Sequence, residues 1–154
     1  MGDIEMRTNK KNSGFTLVEI LIVVVILGIL AAIVIPQFSQ ASLEARESSL
    51  ISNLQTIRSQ IELYKIQHKE VLPTVANFDH VMTSVTDIDG ADWVAGTAYG
   101  PYMRKVPDNP FSDGNTVDGV ADDWLYTPNA ANGTYTFVAD DGGTCPDGTL
   151  HSAL

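Results

Sequence analysis

The stretch that decides the fold is residues 15–35, FTLVEILIVVVILGILAAIVI, where 21 consecutive residues contain one charged side chain, Glu19. At about 1.5 Å per residue, a helix of this length spans roughly 30 Å, the thickness of a bilayer's hydrocarbon core. The run is too long for a strand, because strands rarely exceed about ten residues. A helix that is apolar on every face lies in lipid or in a helix bundle. We therefore predict a transmembrane or assembly helix over residues 15–38.

The residues before this run are polar and include three bases, Arg7, Lys10 and Lys11. Bases on one side of a membrane span favour a cytoplasmic location for that end. One interpretation is a cleaved secretory signal with a cut site at Ser39-Gln40-Ala41, although the apolar run is longer than a usual signal core. A second interpretation is an ordinary signal anchor in which Glu19 has no role.

Glu19 is the residue that these two interpretations leave unexplained. An ionisable side chain in lipid is costly, and it is usually retained for a function. If the chain is cut between Gly14 and Phe15, the new α-amino group lies four residues before Glu19. In an assembly of parallel helices, Glu19 of one copy can then neutralise the amine of another copy. This third interpretation makes the segment a self-assembly element.

After Pro36 the pattern changes from wholly apolar to amphipathic, without a linker. One helix face carries the residues Leu43, Glu47, Leu50, Leu54, Ile57, Ile61, Tyr64 and His68. This stripe predicts that the helix continues over residues 39–70 and packs its stripe on a core. Pro36 lacks an N–H, and we expect it to bend or loosen the helix rather than end it.

Residues 71–154, which we predict to form a small globular head, differ in chemistry, with 12 acidic and two basic residues between Asp79 and Leu154. Its predicted elements are a short helix around residues 77–85, a strand over 124–127, a connection over 128–133 and a strand over 134–138. Aromatic residues alternate along both strands, so one aromatic face can pack on the helical stripe. The prediction is an α+β fold, in which a long N-terminal helix packs on a small antiparallel sheet with long loops.

The N-terminal sequence resembles a known family. Gly14-Phe15-Thr16-Leu17-Val18-Glu19-Ile20, followed by Gly28 and Pro36, is similar to the class III signal of type IV pilins and type II secretion pseudopilins. The resemblance implies a leader over residues 1–14, cleavage after Gly14 by a prepilin peptidase, N-methylation of Phe15 and subunit registration by Glu19. It also implies that Gly28 and Pro36 let the helix loosen in a filament, which suits their backbone properties.

Two later segments resemble the pseudopilin branch of this family. Residues 57–65, IRSQIELYK, with Leu72-Pro73-Thr74 after them, are similar to the end of the pseudopilin helix. Residues 99–111, YGPYMRKVPDNPF, resemble a Gly-Pro-Tyr segment of the major pseudopilin. Many type IV pilins close a C-terminal loop with a disulfide, which the lone Cys145 precludes within this chain.

The resemblance implies a structural subunit that polymerises into a homo-oligomeric helical filament. It implies storage in the bacterial inner membrane, with a cytoplasmic N-terminus, a periplasmic or extracellular head, and an inner-membrane assembly platform as partner. The filament would be periplasmic or on the cell surface, most simply a pseudopilus that serves type II protein secretion. Two alternatives stay open: a surface type IV pilus, and a membrane-tethered ligand-binding module that does not polymerise.

Composition and spacing argue against two other classes. The 19 acidic and 9 basic residues give a net charge of -10, whereas nucleic-acid binding needs cationic surface. No histidine stands beside a serine or cysteine with a supporting acid: His80 and His151 are isolated, and we expect His68 to be a partly buried helix residue. We predict no catalytic residue, no enzyme and an incidental thiol at Cys145.

The acidic loops of the head raise the question of calcium, which takes six to eight oxygen ligands. One cluster precedes the predicted hairpin, at Asp113, Asp118, Asp122 and Asp123, and another follows it, at Asp140, Asp141 and Asp147. Neither follows the EF-hand pattern. Asp141-Gly142 with Asp147 resembles the calcium loop of major pseudopilins, although Cys145-Pro146 departs from it. Calcium ligation by the second cluster and plain turns on a solvated surface are both kept as interpretations.

Charge gives calcium a second rationale. Loss of residues 1–14 leaves 17 acidic and 6 basic residues, so that stacked heads repel one another unless cations screen or bridge them.

Overall fold

The fold is a long helix followed by a small sheet, and the computed structural model describes residues 14–120, 123–145 and 148–154. The elements in chain order are α1 (Leu17–Gln67), a 3-10 turn (Val75–Asn77), α2 (Phe78–Thr83), β1 (Val117–Asp118), β2 (Trp124–Asn129), β3 (Thr134–Ala139) and a second 3-10 turn (His151–Ala153). The chain divides into two units, Met1–Gln40 and Ala41–Leu154. The predicted α+β fold is confirmed, whereas the predicted leader, apart from Gly14, lies outside the described residues.

Helix α1 is 51 residues long and continues through Pro36, as predicted. In the first unit, the large apolar side chains from Phe15 to Phe38 are all exposed, most of them by half or more. By length and composition this helix can cross a membrane. Within the described part of the first unit, residues 14–40, nothing covers these side chains. A helix that is apolar on every face is typical of a membrane span or of a helix bundle.

The second unit buries the amphipathic part of α1. Leu50, Leu54, Ile57, Ile61 and Tyr64 are at most 3% exposed and belong to one hydrophobic core. The prediction that the stripe packs on the core is wrong for its first residue, Leu43, which is 44% exposed. The sheet is small, and the stripe extends beyond the turns of α1 that the core covers.

The sheet has the order β1-β2-β3, with β2 and β3 antiparallel. Trp124 pairs with Ala139 and Tyr126 with Phe137, so the predicted hairpin is present. Strand β2 runs two residues further than predicted, to Asn129. Strand β1 pairs with β2 in parallel and was not predicted, since a strand of two residues has no readable alternation.

The aromatic face of the hairpin lies in the core, as predicted. The ring of Phe78 in α2 lies 4.8 Å from that of Tyr126 and 5.7 Å from that of Phe137. The Tyr126 hydroxyl donates to the Pro73 carbonyl at 2.9 Å, and burial raises the pKa of this phenol. His68 was expected to be a partly buried helix residue, but it lies directly after the end of α1 and is 1% exposed, with the rings of Tyr64, Tyr99 and Tyr102 around it.

Arg58 fastens α1 to the rest of the second unit. Its Nε and Nη2 atoms donate to the carbonyl of Phe137 at 3.0 and 2.7 Å, and Nη1 donates to the carbonyl of Leu154 at 2.9 Å. In return, the Tyr135 hydroxyl donates to the Arg58 carbonyl at 3.1 Å. One side chain therefore joins the helix, β3 and the C-terminal turn.

Candidate functional site

The sequence predicts two sites, one around Glu19 in the first unit and one in the acidic loop that follows β3. At the first site, Glu19 lies in the first turn of α1 and is exposed. Its Oε2 atom accepts hydrogen bonds from both the backbone N–H and the hydroxyl of Thr16, each at 2.8 Å. The Glu19 N–H donates to Thr16 Oγ1 at 3.2 Å. This reciprocal pair is a capping box, which satisfies two of the free N–H groups at the start of a helix.

Thr16 is a site residue that the sequence reasoning missed. The spacing Thr-x-x-Glu directly before an apolar run is the signature of a capping box, and it was available in the sequence. The donors that hold the Glu19 carboxylate come from a residue only three positions away. The carboxylate is therefore oriented by its own helix and left accessible to a second molecule.

Gly28 and Pro36 are the two residues of α1 that weaken a helix. A Cβ atom added at Gly28 would have nothing within 4 Å in the described part of this chain, so close packing within the chain does not explain this glycine. Glycine costs about 1 kcal/mol relative to alanine inside a helix, and proline costs more. Their presence in an unbroken helix agrees with the predicted role of local loosening, which stays a prediction.

The second candidate site is the loop that follows β3. Asp141 is almost fully enclosed, with its side chain 4% exposed. Its Oδ1 atom accepts from the Gly143 N–H and from His151 Nδ1, each at 2.8 Å, and its Oδ2 atom accepts from Asn109 Nδ2 at 3.0 Å. Asp140 is half-buried, and Asp147 lies outside the described residues.

Two further residues of this cluster were not predicted as a site. His151 is 1% exposed and pairs with Asp141, so the expectation that it is isolated is wrong. His80 is not isolated either, since it pairs with Asp92 at the surface. Asn109 is fully buried, donates to the carbonyl of Asp123 as well as to Asp141, and accepts from the Phe111 N–H. Asn109 lies in residues 99–111, the segment that resembles the major pseudopilin.

The described part of the loop does not fit calcium. Both Asp141 oxygens already face N–H donors, whereas a calcium ligand has to direct its lone pairs at the cation. Within residues 14–120, 123–145 and 148–154, no group of three or more His, Cys, Asp or Glu side chains is placed to hold a metal ion. The calcium prediction for Asp140, Asp141 and Asp147 stays a prediction.

Comparison with known proteins agrees with the first site. The prokaryotic N-terminal methylation motif matches residues 9–35. A fimbrial protein of Pseudomonas aeruginosa is 34% identical over 116 residues, which cover 73% of this chain and 68% of the relative. The chain belongs to the type IV pilin and pseudopilin family. The resemblance predicted from residues 14–36 is thereby confirmed.

Other members of the pilin and pseudopilin family extend the similarity. The type II secretion system core protein G of Pseudomonas aeruginosa is 30% identical over 104 residues, covering 68% of this chain and 71% of the relative. The protein of the same name from Escherichia coli K12 is 28% identical over 145 residues, covering 94% of this chain and 89% of the relative. No solved structure matches the chain significantly. The names of these relatives denote structural subunits rather than enzymes, and family membership implies a membrane-anchored chain that assembles into a filament.

Proposed function

We propose that this pilin-like chain is a filament subunit, processed after Gly14, that assembles into a pseudopilus serving type II protein secretion. The observation that carries the proposal is the first unit of the chain. It exposes a continuous apolar surface with one carboxylate, Glu19, close to its start. The 94% coverage of the match to a secretion core protein supports the pseudopilus over other filaments.

Glu19 acts in this proposal through an exchange of partners. Cleavage of the peptide bond after Gly14 leaves a protonated α-amino group on Phe15. The Glu19 carboxylate of a neighbouring copy lies beside that amine. The two opposite charges then neutralise each other in surroundings from which water is excluded. Thr16 holds the carboxylate in place until then, and the apolar side chains of parallel helices cover one another. Gly28 and Pro36 let each helix adjust its rise as copies are added.

The location follows from the same segment. Before assembly, the chain is anchored in the bacterial inner membrane by residues 15–38, with the end that carries Arg7, Lys10 and Lys11 in the cytoplasm. The head lies on the other side, in the periplasm or outside the cell. A prepilin peptidase and an inner-membrane assembly platform are the partners that this pathway requires.

Substitution of Glu19 tests the role of charge. Glu19→Gln keeps an acceptor for the Thr16 N–H and so preserves the helix cap, but it removes the charge. We expect this variant to reach the membrane at the normal level and to form few or misregistered filaments, as seen by electron microscopy of sheared material. Glu44→Gln, an exposed acid on the second unit's part of α1, is the matched control and should assemble normally.

The outcomes separate the alternatives. Normal filaments from Glu19→Gln would show that charge pairing is not needed. Normal secretion by a Glu19→Gln variant that forms no filament would instead favour a membrane-tethered module. A surface type IV pilus is the second candidate, favoured by the 34% identity to a fimbrial protein. Long fibres released from wild-type cells by shearing, without loss of secretion when the gene is deleted, would identify the pilus.

A further inference from the structure

The loop between β3 and the C-terminal turn closes on itself. An isolated antiparallel bridge joins Thr144 to Leu150, and the His151 N–H donates to the Gly143 carbonyl at 3.1 Å. Inside the bridge, the Cys145 N–H donates to the Thr149 carbonyl at 2.7 Å. The side chains of Asp141 and His151 meet at the base of this loop, so their pairing adds a side-chain link to these backbone links.

The Asp141 carboxylate accepts hydrogen bonds at both oxygens, from donors in three parts of the chain. The Gly143 N–H comes from the next turn, His151 from the far end of the loop, and Asn109 from the segment before β1. Buried carboxylates are stable when hydrogen bonds replace the lost water. Three N–H groups that point at one carboxylate also point their positive ends at the place a cation would occupy.

His151 is built into this arrangement as a donor. Its Nδ1 atom lies 2.8 Å from Asp141, and its ring lies 4.1 Å from that of Phe111. The other nitrogen, Nε2, is buried without a hydrogen-bond partner in the described parts of the chain. A proton on Nε2 would be a buried donor with nothing to receive it, so the tautomer with the proton on Nδ1 fits the site.

Gly143 makes the approach of the ring possible. A Cβ atom at this position would lie 2.7 Å from the Nδ1 and Cε1 atoms of His151, closer than non-bonded atoms come. Asn109 is held in turn, since its side-chain amide also donates to the Asp123 carbonyl at 2.9 Å and accepts from the Phe111 N–H at 3.0 Å. The pair is therefore positioned by at least two other segments of the second unit.

We infer that the C-terminal loop of this chain is closed by an internal clasp, the buried Asp141–His151 pair supported by Asn109, in place of a metal ion or a disulfide. Cys145 is the single cysteine of the sequence. The clasp supplies the cross-loop link from protein donors alone. The loop is then stable without calcium, and removing the His151 donor opens it.

Thermal unfolding of the processed full-length protein in detergent micelles tests the clasp. With excess EDTA or excess calcium chloride, we expect the same Tm within error. His151→Leu removes one of the three donors to the buried Asp141 carboxylate, and we expect Tm to fall by about 5–10 °C. His151→Asn places an amide N–H where Nδ1 was, and it should recover part of the loss even without the ring.

The matched control is the other histidine–aspartate pair of the head. His80 Nε2 lies 2.8 Å from Asp92, the same distance, but the two side chains are 46% and 82% exposed. His80→Leu should therefore shift Tm by less than about 2 °C. Asp140→Asn changes the neighbouring carboxylate and should also have little effect.

Three results would overturn the clasp. The first is a calcium-dependent rise in the Tm of the wild type that disappears in Asp141→Asn, which would assign Asp141 to calcium. The second is equal Tm losses in His151→Leu and His80→Leu. The third is a tautomer measurement, which serves if His151→Leu does not fold. If nitrogen NMR of the wild type finds the His151 proton on Nε2 rather than Nδ1, the ring cannot donate to Asp141, and the inference fails.

Discussion

Leu27 and Leu54 lie on the same helix, yet the first is 58% exposed and the second 1%. The residue type and the secondary structure are the same, so neither explains the difference. Leu54 belongs to a stripe with polar residues on the other faces, and the chain supplies a sheet to cover that stripe. Leu27 has apolar neighbours on all faces of the helix, and no element covers it among the described residues of its own unit, 14–40. The second unit completes its own core, whereas the first must be completed by lipid or by other copies.

The two best-defined carboxylates differ in the same way. Asp141 is enclosed and takes its hydrogen bonds from three separate segments of the second unit. Glu19 is exposed and takes its bonds from Thr16 alone. The contacts of Asp141 join separate segments of the second unit, whereas the Thr16 contacts of Glu19 lie within one helical turn. This difference agrees with a structural role for Asp141 and with the proposed assembly role for Glu19.

The largest loss of stability is expected in the second unit, when its buried tryptophan is replaced and its exposed tryptophan serves as the control. Trp124 is fully buried and its Nε1 donates to the Pro107 carbonyl at 2.9 Å, whereas Trp93 is 45% exposed. Trp124→Ala should lower the free energy of unfolding by about 3–5 kcal/mol because it leaves a large cavity. Trp93→Ala should cost less than about 1 kcal/mol. Urea unfolding followed by circular dichroism measures both, and similar losses would mean that the core does not depend on β2.

The next prediction compares the two parts of α1 directly. Leu54→Ala should destabilise the head by about 3 kcal/mol, through lost burial and a cavity. Leu27→Ala changes the same side chain in the first unit and should leave head unfolding unchanged, within about 0.5 kcal/mol. The same urea experiment in detergent applies. A loss of head stability in Leu27→Ala would contradict the separation into two units.

How much could be predicted from the sequence depended on whether a feature has a period. The amphipathic stripe of α1 and the alternating aromatics of β2 and β3 have one, and these elements were predicted. The apolar run of α1 has no period and was recognised by its length. Leu43 matches the period but was wrongly expected to be buried, since periodicity does not reveal how far a sheet extends. Strand β1 was missed because it has only two residues.

The two candidate sites also differ in how far they could be predicted from the sequence. Glu19 could be identified because a charge inside an apolar run is conspicuous, and Thr16 could have been identified from the capping-box spacing. The Asp141–His151 pair could not. Its members are ten residues apart in a loop without periodicity, and their support comes from Asn109, 32 residues before Asp141. Hydrogen bonds between loops depend on tertiary structure and leave no pattern in the sequence. The acidic composition of the loop therefore suggested calcium, whereas the structure shows N–H donors around Asp141.

The smallest change in stability is expected from alkali, which should destabilise the second unit and leave the first unit unaffected. Burial raises the pKa of Tyr102 to about 12, with Tyr64 and Tyr99 contributing, and burial also raises that of Tyr135 to about 12. An unfolded tyrosine has a pKa of about 10. Because the folded values are higher, this stabilisation is complete below about pH 10 and is lost as the pH rises from there towards 12.

Tyr102→Phe removes one of these groups, so its stability should fall less steeply above pH 10 than that of the wild type. At neutral pH the variant loses the hydrogen bond from the hydroxyl to Gln67 Oε1, at 2.8 Å, and its contact with His68 Nδ1, at 3.3 Å. The first unit contains no tyrosine. Membranes washed at pH 11 should therefore retain the protein while tryptophan fluorescence reports a loosened head. Release of the chain by that wash would mean that the apolar segment is held by the head rather than by lipid.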